Sequence, residues 1–142
     1  MTTIQKTHMD AVIPSAAHST DAGYDVTVIS EEKTHIPHVT VYNTHLRLIP
    51  PEGHFFELYV RSSLWKKGYM LANSTGGVID PEYRGELKVA LLKFDPFSAD
   101  LELPSRVGQL ILRKLNTTEF NEVEDLDINT QRGEGGFGST GN

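Results

Sequence analysis

Residues 77–85 read Gly-Val-Ile-Asp-Pro-Glu-Tyr-Arg-Gly, and the prediction of the fold starts from this stretch. An apolar pair leads into Asp80, Pro81 follows, and a glycine bounds the stretch at each end, which predicts a β-hairpin or a tight turn. Such a turn would hold a buried-edge carboxylate, that of Asp80, close to the ring of Tyr83. Asp80 is therefore a candidate general base. Ordinary turn chemistry, with Tyr83 serving only in packing, explains these residues equally well.

Strands are predicted on both sides of this stretch, because runs rich in β-branched and aromatic residues alternate with turn residues. One short helix is predicted after Arg61, with Ser62 or Ser63 at its start and Gly68 at its end. Residues 30–37 are predicted to form a polar connector. The predicted strands are 8–13, 27–29, 39–49, 55–60, 86–94 and 106–115. This regular spacing is typical of an all-β sandwich or barrel.

The composition excludes several classes of function. The net charge of −6 argues against binding to a nucleic-acid backbone, and the absence of cysteine excludes disulfides and thiolate metal sites. No apolar run approaches the roughly 20 residues that span a bilayer, and the first residues do not resemble a signal peptide. We therefore expect a cytoplasmic protein that binds neither nucleic acid nor membrane.

The last residues differ in character from the rest. Five glycines fall within residues 133–141, so this segment cannot form a core of its own. A disordered end is one interpretation, and a mobile arm that closes over a ligand is the other. Arg132 and Phe137 favour the arm, since a plain linker needs neither. We predict a β domain at residues 1–130 and a flexible arm at 131–142.

Two further segments carry polar groups suited to an anion. Arg61, Ser62 and Ser63 offer a guanidinium, two hydroxyls and backbone N–H groups, although a helix cap with a surface arginine also explains them. In the strand 106–115, regular alternation puts Arg106 with Gly108 on one face and Val107 with Gln109 on the other. Gln109 would then need a hydrogen-bond partner, either a ligand oxygen or solvent.

A metal ion is also expected. Asp25 and Asp80 lie outside any dense ligand cluster, so Mg²⁺ would be held mainly by ligand oxygens and water. The six histidines show no zinc-binding spacing.

Taken in order, these segments resemble the five motifs of the homotrimeric dUTPase family, the deoxyuridine triphosphate nucleotidohydrolases, from about residue 8 to the C-terminus. The motifs are Ala-Gly-Tyr-Asp-Val at 22–26, Arg-Ser-Ser-Leu at 61–64, Gly-Val-Ile-Asp-Pro-Glu-Tyr-Arg-Gly-Glu at 77–86, Arg-Val-Gly-Gln-Leu-Ile at 106–111 and Arg-Gly-Glu-Gly-Gly-Phe-Gly-Ser-Thr-Gly at 132–141.

The resemblance implies a jelly-roll-like β-sandwich of the β-clip type that forms a homotrimer, with active sites between subunits. It implies Mg²⁺-dependent hydrolysis of dUTP to dUMP and pyrophosphate, by attack of water at the α-phosphate. Such a hydrolase keeps uracil out of DNA and supplies dUMP for dTMP synthesis.

The resemblance also implies residue roles. Asp80 would activate the attacking water, Tyr83 would pack on the deoxyribose and exclude a 2′-hydroxyl, and Asp25 would contact the metal indirectly through water. Asn73 would read uracil, with Ser74 as the alternative. The substrate-binding residues implied in this way are Arg61, Ser62, Ser63, Asn73, Gly77, Val78, Ile79, Tyr83, Gln109, Arg132, Phe137, Gly138, Ser139 and Thr140.

Five features depart from the family pattern, among them Val60 where proline is usual and Trp65 where a small residue is common. The sequence Gly76-Gly77 adds one residue before Asp80, His45 stands where glycine is usual, and Gly108 stands where alanine is common. A dCTP deaminase or a bifunctional deaminase–dUTPase is the main alternative, but the complete arm and the pair Asp80 and Tyr83 favour plain hydrolysis. An added regulatory role, in which the dUTPase binds another protein, stays open.

Overall fold

The computed structural model describes residues 1–73 and 76–139 of the chain. Strands dominate this part of the molecule, and a single turn of 3₁₀ helix covers Leu64–Lys67. The strands are β1 (Thr3–Lys6), β2 (Gly23–Val28), β3 (Ser30–Lys33), β4 (Val39–Asn43), β5 (Leu46–Ile49), β6 (His54–Val60), β7 (Tyr69–Leu71), β8 (Gly77–Ile79), β9 (Lys88–Lys93) and β10 (Ser105–Lys114).

Two four-stranded sheets form the body of the molecule, with strand orders β2-β10-β6-β8 and β3-β4-β9-β7. A two-stranded sheet pairs β1 with β5, and all neighbouring strands are antiparallel. One buried apolar cluster joins side chains of both large sheets, such as Val26 and Leu110 from the first and Tyr42 and Leu91 from the second. The prediction of an all-β sandwich is therefore confirmed.

Two of the predicted segments were wrong. Residues 8–13 form no strand, because Asp10 donates its backbone N–H to His8 Nδ1 and Ala11 donates to the His8 carbonyl, which bends the chain. Residues 30–33 are not a connector, since they form β3 at the edge of a sheet. The exposed charges of β3 mark it as an edge strand, where such residues discourage further pairing.

The predicted strand at 39–49 is interrupted at residues 44–45. His45 has a φ of 54°, in the left-handed region that glycine prefers, so extended pairing cannot continue through it. The Asn43 side chain accepts a hydrogen bond from the His45 N–H at 2.8 Å, and buried Thr44 donates to the Leu87 carbonyl at 2.8 Å. The chain therefore leaves one sheet after Asn43 and enters another at Leu46.

The predicted helix is present as the short 3₁₀ turn. Gly68 ends it with a φ of 80° and a hydrogen bond from its N–H to the Trp65 carbonyl. Ser63 stands at the N-cap but makes no side-chain capping bond. The hydrogen bond that would support Ser63 as a helix cap is therefore absent.

The packed strands end at Lys114. Beyond residue 116, the hydrogen bonds of the described residues connect only near neighbours in sequence. The division at residue 130 stays a prediction. Within the described residues, no helix has the length and apolar character needed to cross a membrane.

Candidate active site

The opening stretch connects the two large sheets. β8 pairs with β6 in one sheet, whereas β9 pairs with β4 and β7 in the other. The Tyr83 N–H donates to the Asp80 carbonyl at 3.1 Å, which closes a tight turn between them. The tight-turn prediction is confirmed, and the hairpin alternative was wrong because β8 and β9 lie in different sheets. Asp80 and Tyr83 are both exposed on this turn, so Asp80 is not at a buried edge.

A cleft of about 380 Å³ lies between β8, this turn and β9, and we call it the apolar cleft. Its lining includes Leu58, Leu71 and Val89 from the sandwich core. β8 is the last strand of its sheet, so one side of its backbone has no partner strand in the described residues. Of the predicted substrate-binding residues, the apolar cleft brings together Asn73, Gly77, Val78, Ile79 and Tyr83.

Gly77 lies close to the side chain of Asn73. A Cβ atom at this position would lie 3.4 Å from Asn73 Nδ2, which is ordinary contact distance. Asn73 therefore sits directly against the backbone of β8.

A second cleft, of about 290 Å³, lies against β2, the end of β6 and the middle of β10, and we call it the ionic cleft. Asp25 is its central charge: Oδ1 lies 3.4 Å from Arg61 Nε, and Oδ2 lies 3.3 Å from Arg106 Nη1. Each guanidinium has five N–H donors, so both arginines keep donors for an anion. The predicted residues that line the ionic cleft are Asp25, Arg61, Ser62 and Gln109.

A β-bulge places Gln109 in the ionic cleft. Arg106 pairs with Thr27 and Gly108 pairs with Val26, so Val107 is the extra residue of β10. The predicted alternation was therefore wrong. Val107 is fully buried, whereas Gln109 lies opposite Asp25 on the side that Arg106 occupies.

Gln109 also lies over the backbone of β2. A Cβ atom at Gly23 would come within 2.2 Å of Gln109 Oε1, so only glycine leaves room for the amide in this position.

Sequence reasoning gave Arg106 no role. Its contact with Asp25 depends on the register of β2 and β10, which composition does not reveal. Two signals were available: its position at the start of an apolar strand and its place as the first residue of the fourth motif.

The described arm residues reach neither cleft. Arg132 Nε donates to the Gly135 carbonyl at 2.8 Å, the Phe137 ring is exposed, and Ser139 donates its N–H to the Gly136 carbonyl. Ser63 is exposed and does not line the ionic cleft. Ser74 and Thr140 lie outside the described residues.

The protein offers few metal ligands of its own. Among residues 1–73 and 76–139, no three His, Asp or Glu side chains are grouped so that they could hold a metal ion. Asp25 already faces two arginines. The donor set therefore fits an ion whose coordination shell comes largely from an anionic ligand and water.

The fold and the two clefts define an all-β protein equipped to bind a small anionic ligand that carries an apolar ring. A sequence model of the dUTPase family matches residues 9–141, and the chain belongs to this family.

Two relatives illustrate the match. The chain is 37% identical over 139 residues to the deoxyuridine 5'-triphosphate nucleotidohydrolase of Solanum lycopersicum, covering 97% of this chain and 80% of that protein. It is 37% identical over 138 residues to the enzyme of the same name from Wolinella succinogenes, covering 96% and 91%.

Solved structures share the fold. A mutant dUTPase of Staphylococcus bacteriophage 80alpha with dUpNHpp superposes with a TM-score of 0.77 at 24% identity, covering 99% of this chain and 98% of that one. A mutant dUTPase from phage phi11 of S. aureus, described as revealing the coordination of a structural Mg(II) ion, gives 0.69 at 19% identity, covering 89% and 99%. The family and the fold expected from the motifs are confirmed, and the roles of single residues stay predictions.

Proposed function

We propose that this protein is a dUTP diphosphatase, which hydrolyses dUTP to dUMP and pyrophosphate. The observation that carries the proposal is the turn that holds Asp80 and Tyr83 together at the apolar cleft, in a chain of the dUTPase family. The reaction removes dUTP from the precursors of DNA and supplies dUMP for the synthesis of dTMP.

The apolar cleft would bind the nucleoside. Uracil has alternating donors and acceptors along one edge, and the backbone groups of β8 that face no partner strand among the described residues would match them. Asn73 packs against this backbone and would add a side-chain hydrogen bond to the base. The Tyr83 ring would pack on the deoxyribose, where it leaves no room for a 2′-hydroxyl.

The ionic cleft would bind the phosphates. Arg61, Ser62 and Gln109 supply donors of different geometry, and Arg106 adds a second guanidinium. Asp25 would orient both arginines and contact Mg²⁺ through water. When bound, Mg²⁺ would neutralise negative charge on the phosphate groups.

Asp80 would orient the attacking water and accept its proton, which is then lost to solvent. Its carboxylate is exposed and receives no hydrogen bond from the described residues, so it is free to bind a water molecule. Positioning and charge neutralisation would then provide most of the catalysis of attack at the α-phosphate.

A complete site would need more than one copy of the chain. The apolar and ionic clefts share no lining residue, and the described arm residues contact neither. We propose a homotrimer in which the clefts of neighbouring subunits meet. The arm from residue 131 onwards would close over them, with Phe137 stacked on uracil. Arg132, Gly138, Ser139 and Thr140 would contact the phosphates.

The test is Asp80→Asn, assayed for release of pyrophosphate from dUTP. We expect turnover to fall by at least ~100-fold, the scale for removal of a general base, while dUpNHpp still binds. Near-normal turnover would refute the role of Asp80. Release of ammonia from dCTP by the unmodified protein would instead favour a deaminase.

A further inference from the structure

A polar cluster lies directly after the turn from Asp80 to Tyr83, and the resemblance gives no role to its members, although Glu86 ends the third motif. It consists of Thr7, Asn43, His45 and Glu86, and we call it the Glu86 cluster. Thr7 Oγ1 donates to Glu86 Oε1, and Asn43 Nδ2 donates to Oε2 at 2.6 Å. His45 Nδ1 lies 3.4 Å from Oε1. Two segments that are distant in sequence from Glu86 thus converge on its carboxylate.

These contacts are confined to a partly enclosed space. The side chains of Glu86 and His45 are only 22% and 24% exposed. The hydrogen bonds from Thr7 and Asn43, followed by the charge of His45, lower the pKa of Glu86 from 4.5 to about 2. Glu86 is therefore ionised and held from several sides at neutral pH.

Glu86 is linked to the ring of Tyr83 through its own backbone. The Tyr83 hydroxyl donates to the Glu86 carbonyl at 3.0 Å. The ring lies over Gly85, where a Cβ atom would come within 2.3 Å of the phenol oxygen. The position of the ring thus depends on where the backbone at residues 85–86 is held.

The contacts of the Glu86 carboxylate fix the backbone at residue 86 and not beyond it. The next residue is fixed separately, because the Leu87 N–H donates to the Leu46 carbonyl at 2.8 Å and the Leu87 carbonyl accepts from Thr44. Loss of the Glu86 carboxylate would therefore loosen the turn at residues 83–86 and leave the entry into β9 in place.

His45 contacts the same carboxylate, although its own backbone adopts an unfavourable conformation. Its φ of 54° suits glycine better than a side chain. Its ring compensates through the contact with Glu86 and a 2.7 Å hydrogen bond between Nε2 and Ser30 Oγ. The contacts of its side chain with Glu86 and Ser30 thus explain why a histidine occupies this position.

We propose that Glu86 is a positioning residue for Tyr83 and that the Glu86 cluster thereby sets how strongly the enzyme rejects a ribonucleotide. This inference rests on the proposed function, in which Tyr83 packs on the deoxyribose. A firmly held ring excludes the 2′-hydroxyl of UTP, whereas a ring free to shift admits it.

The test compares kcat/KM for dUTP with kcat/KM for UTP in Glu86→Gln. We expect the ratio of the two constants to fall about tenfold, which corresponds to roughly one lost hydrogen bond to a charged group. The value of kcat/KM for dUTP itself should fall by a smaller factor than this ratio.

The matched control is Asp95→Asn, just beyond the far end of β9, where a half-buried carboxylate accepts hydrogen bonds from Phe97 and Ser98. Its ratio should equal that of the unmodified enzyme.

A second variant, Thr7→Val, removes one donor from the carboxylate and should lower the ratio by a smaller factor. It decides the question if Glu86→Gln does not fold. An unchanged ratio in the folded variants, or an equal loss for both substrates, would overturn the inference and leave the proposed function standing. Failure of the unmodified protein to hydrolyse dUTP would overturn both.

Discussion

The apolar cleft and the ionic cleft differ in how they recognise a ligand. The first is lined by core side chains and by the backbone of an edge strand, so under the proposal it would select by shape and a few hydrogen bonds. The second is built around Asp25 and two arginines, so it would select charge. They share no residue within one copy of the chain. In the proposed site, base recognition and phosphate binding would therefore be separate local structures, which a homotrimer would bring together.

The largest expected effect comes from mixing two damaged proteins. Asp80→Asn disables the turn beside the apolar cleft, and Arg61→Gln disables the ionic cleft, so each alone should be nearly inactive. If each site combines clefts from two subunits, co-refolding equal amounts should restore about one quarter of the unmodified activity, as random assortment predicts. Pyrophosphate release before and after co-refolding measures this.

Co-refolding each variant with itself is the control and should restore nothing. Mixtures that stay inactive, although mass spectrometry shows mixed oligomers, would place both clefts of each site on one subunit.

Removal of residues 131–142 tests whether the arm serves both clefts. We expect a loss on the order of 100-fold in kcat/KM for dUTP, since substrate positioning and exclusion of water would both suffer. The oligomer should persist, because the described arm residues bond only to near neighbours. Light scattering and the kinetic assay check the two parts, and dissociation of the oligomer would mark the arm as structural.

Gly23→Ala should affect the ionic cleft alone. The new Cβ would displace the flexible end of the Gln109 side chain, whose Oε1 and Cδ lie 2.2 and 3.0 Å from its position, and would lie 3.1 Å from Gln109 Cβ. We expect KM for dUTP to rise roughly tenfold, the scale of one lost hydrogen bond to a charged group, with little change in the free energy of unfolding.

Gly108→Ala on the neighbouring strand is the matched control for this variant. Its Cβ would lie 2.8 Å from the Tyr59 carbonyl, which is backbone and cannot swing away. It should lower the free energy of unfolding by about 1–3 kcal/mol. An unchanged KM in folded Gly23→Ala would remove Gln109 from the phosphate site.

The smallest effect concerns stability and pH. Glu86 has a folded-state pKa of about 2, below its ordinary 4.5, so its ionised form stabilises the fold. This contribution is fully present above about pH 4.5 and is lost as the pH falls towards 2. The difference in free energy of unfolding between the unmodified protein and Glu86→Gln should shrink over that range in denaturant titrations. A difference independent of pH would mean that the charge contributes nothing.

Local patterns predicted much of this molecule. The all-β class, the helix stop at Gly68 and the turn at Asp80 follow from turn chemistry and from runs of strand-forming residues, and the structure agrees. These features depend on residues close together in sequence. Local patterns did not predict hydrogen bonds between a side chain and the backbone that compete with extended structure, such as the one between His8 and Asp10.

Contacts between distant segments could not be predicted in the same way. The Glu86 cluster joins residue 7 to residues 43–45 and 86, and no periodicity indicates that they meet. Arg106 was overlooked for the same reason, because its partner Asp25 lies 81 residues away. Recognition of the five motifs supplied part of this long-range information, but it assigned no role to Glu86 or Arg106, although both lie within the motifs.

The bulge at Val107 has a consequence for how binding sites are recognised in sequences. Arg106 and Gln109 are three positions apart and lie on one side of a strand, a spacing that regular alternation forbids and that a helix would normally supply. If two polar residues of an apolar strand bind the same ligand and are separated by an odd number of positions, the strand between them is expected to contain a bulge. They indicate that an extra residue lies between them, before any coordinates are available.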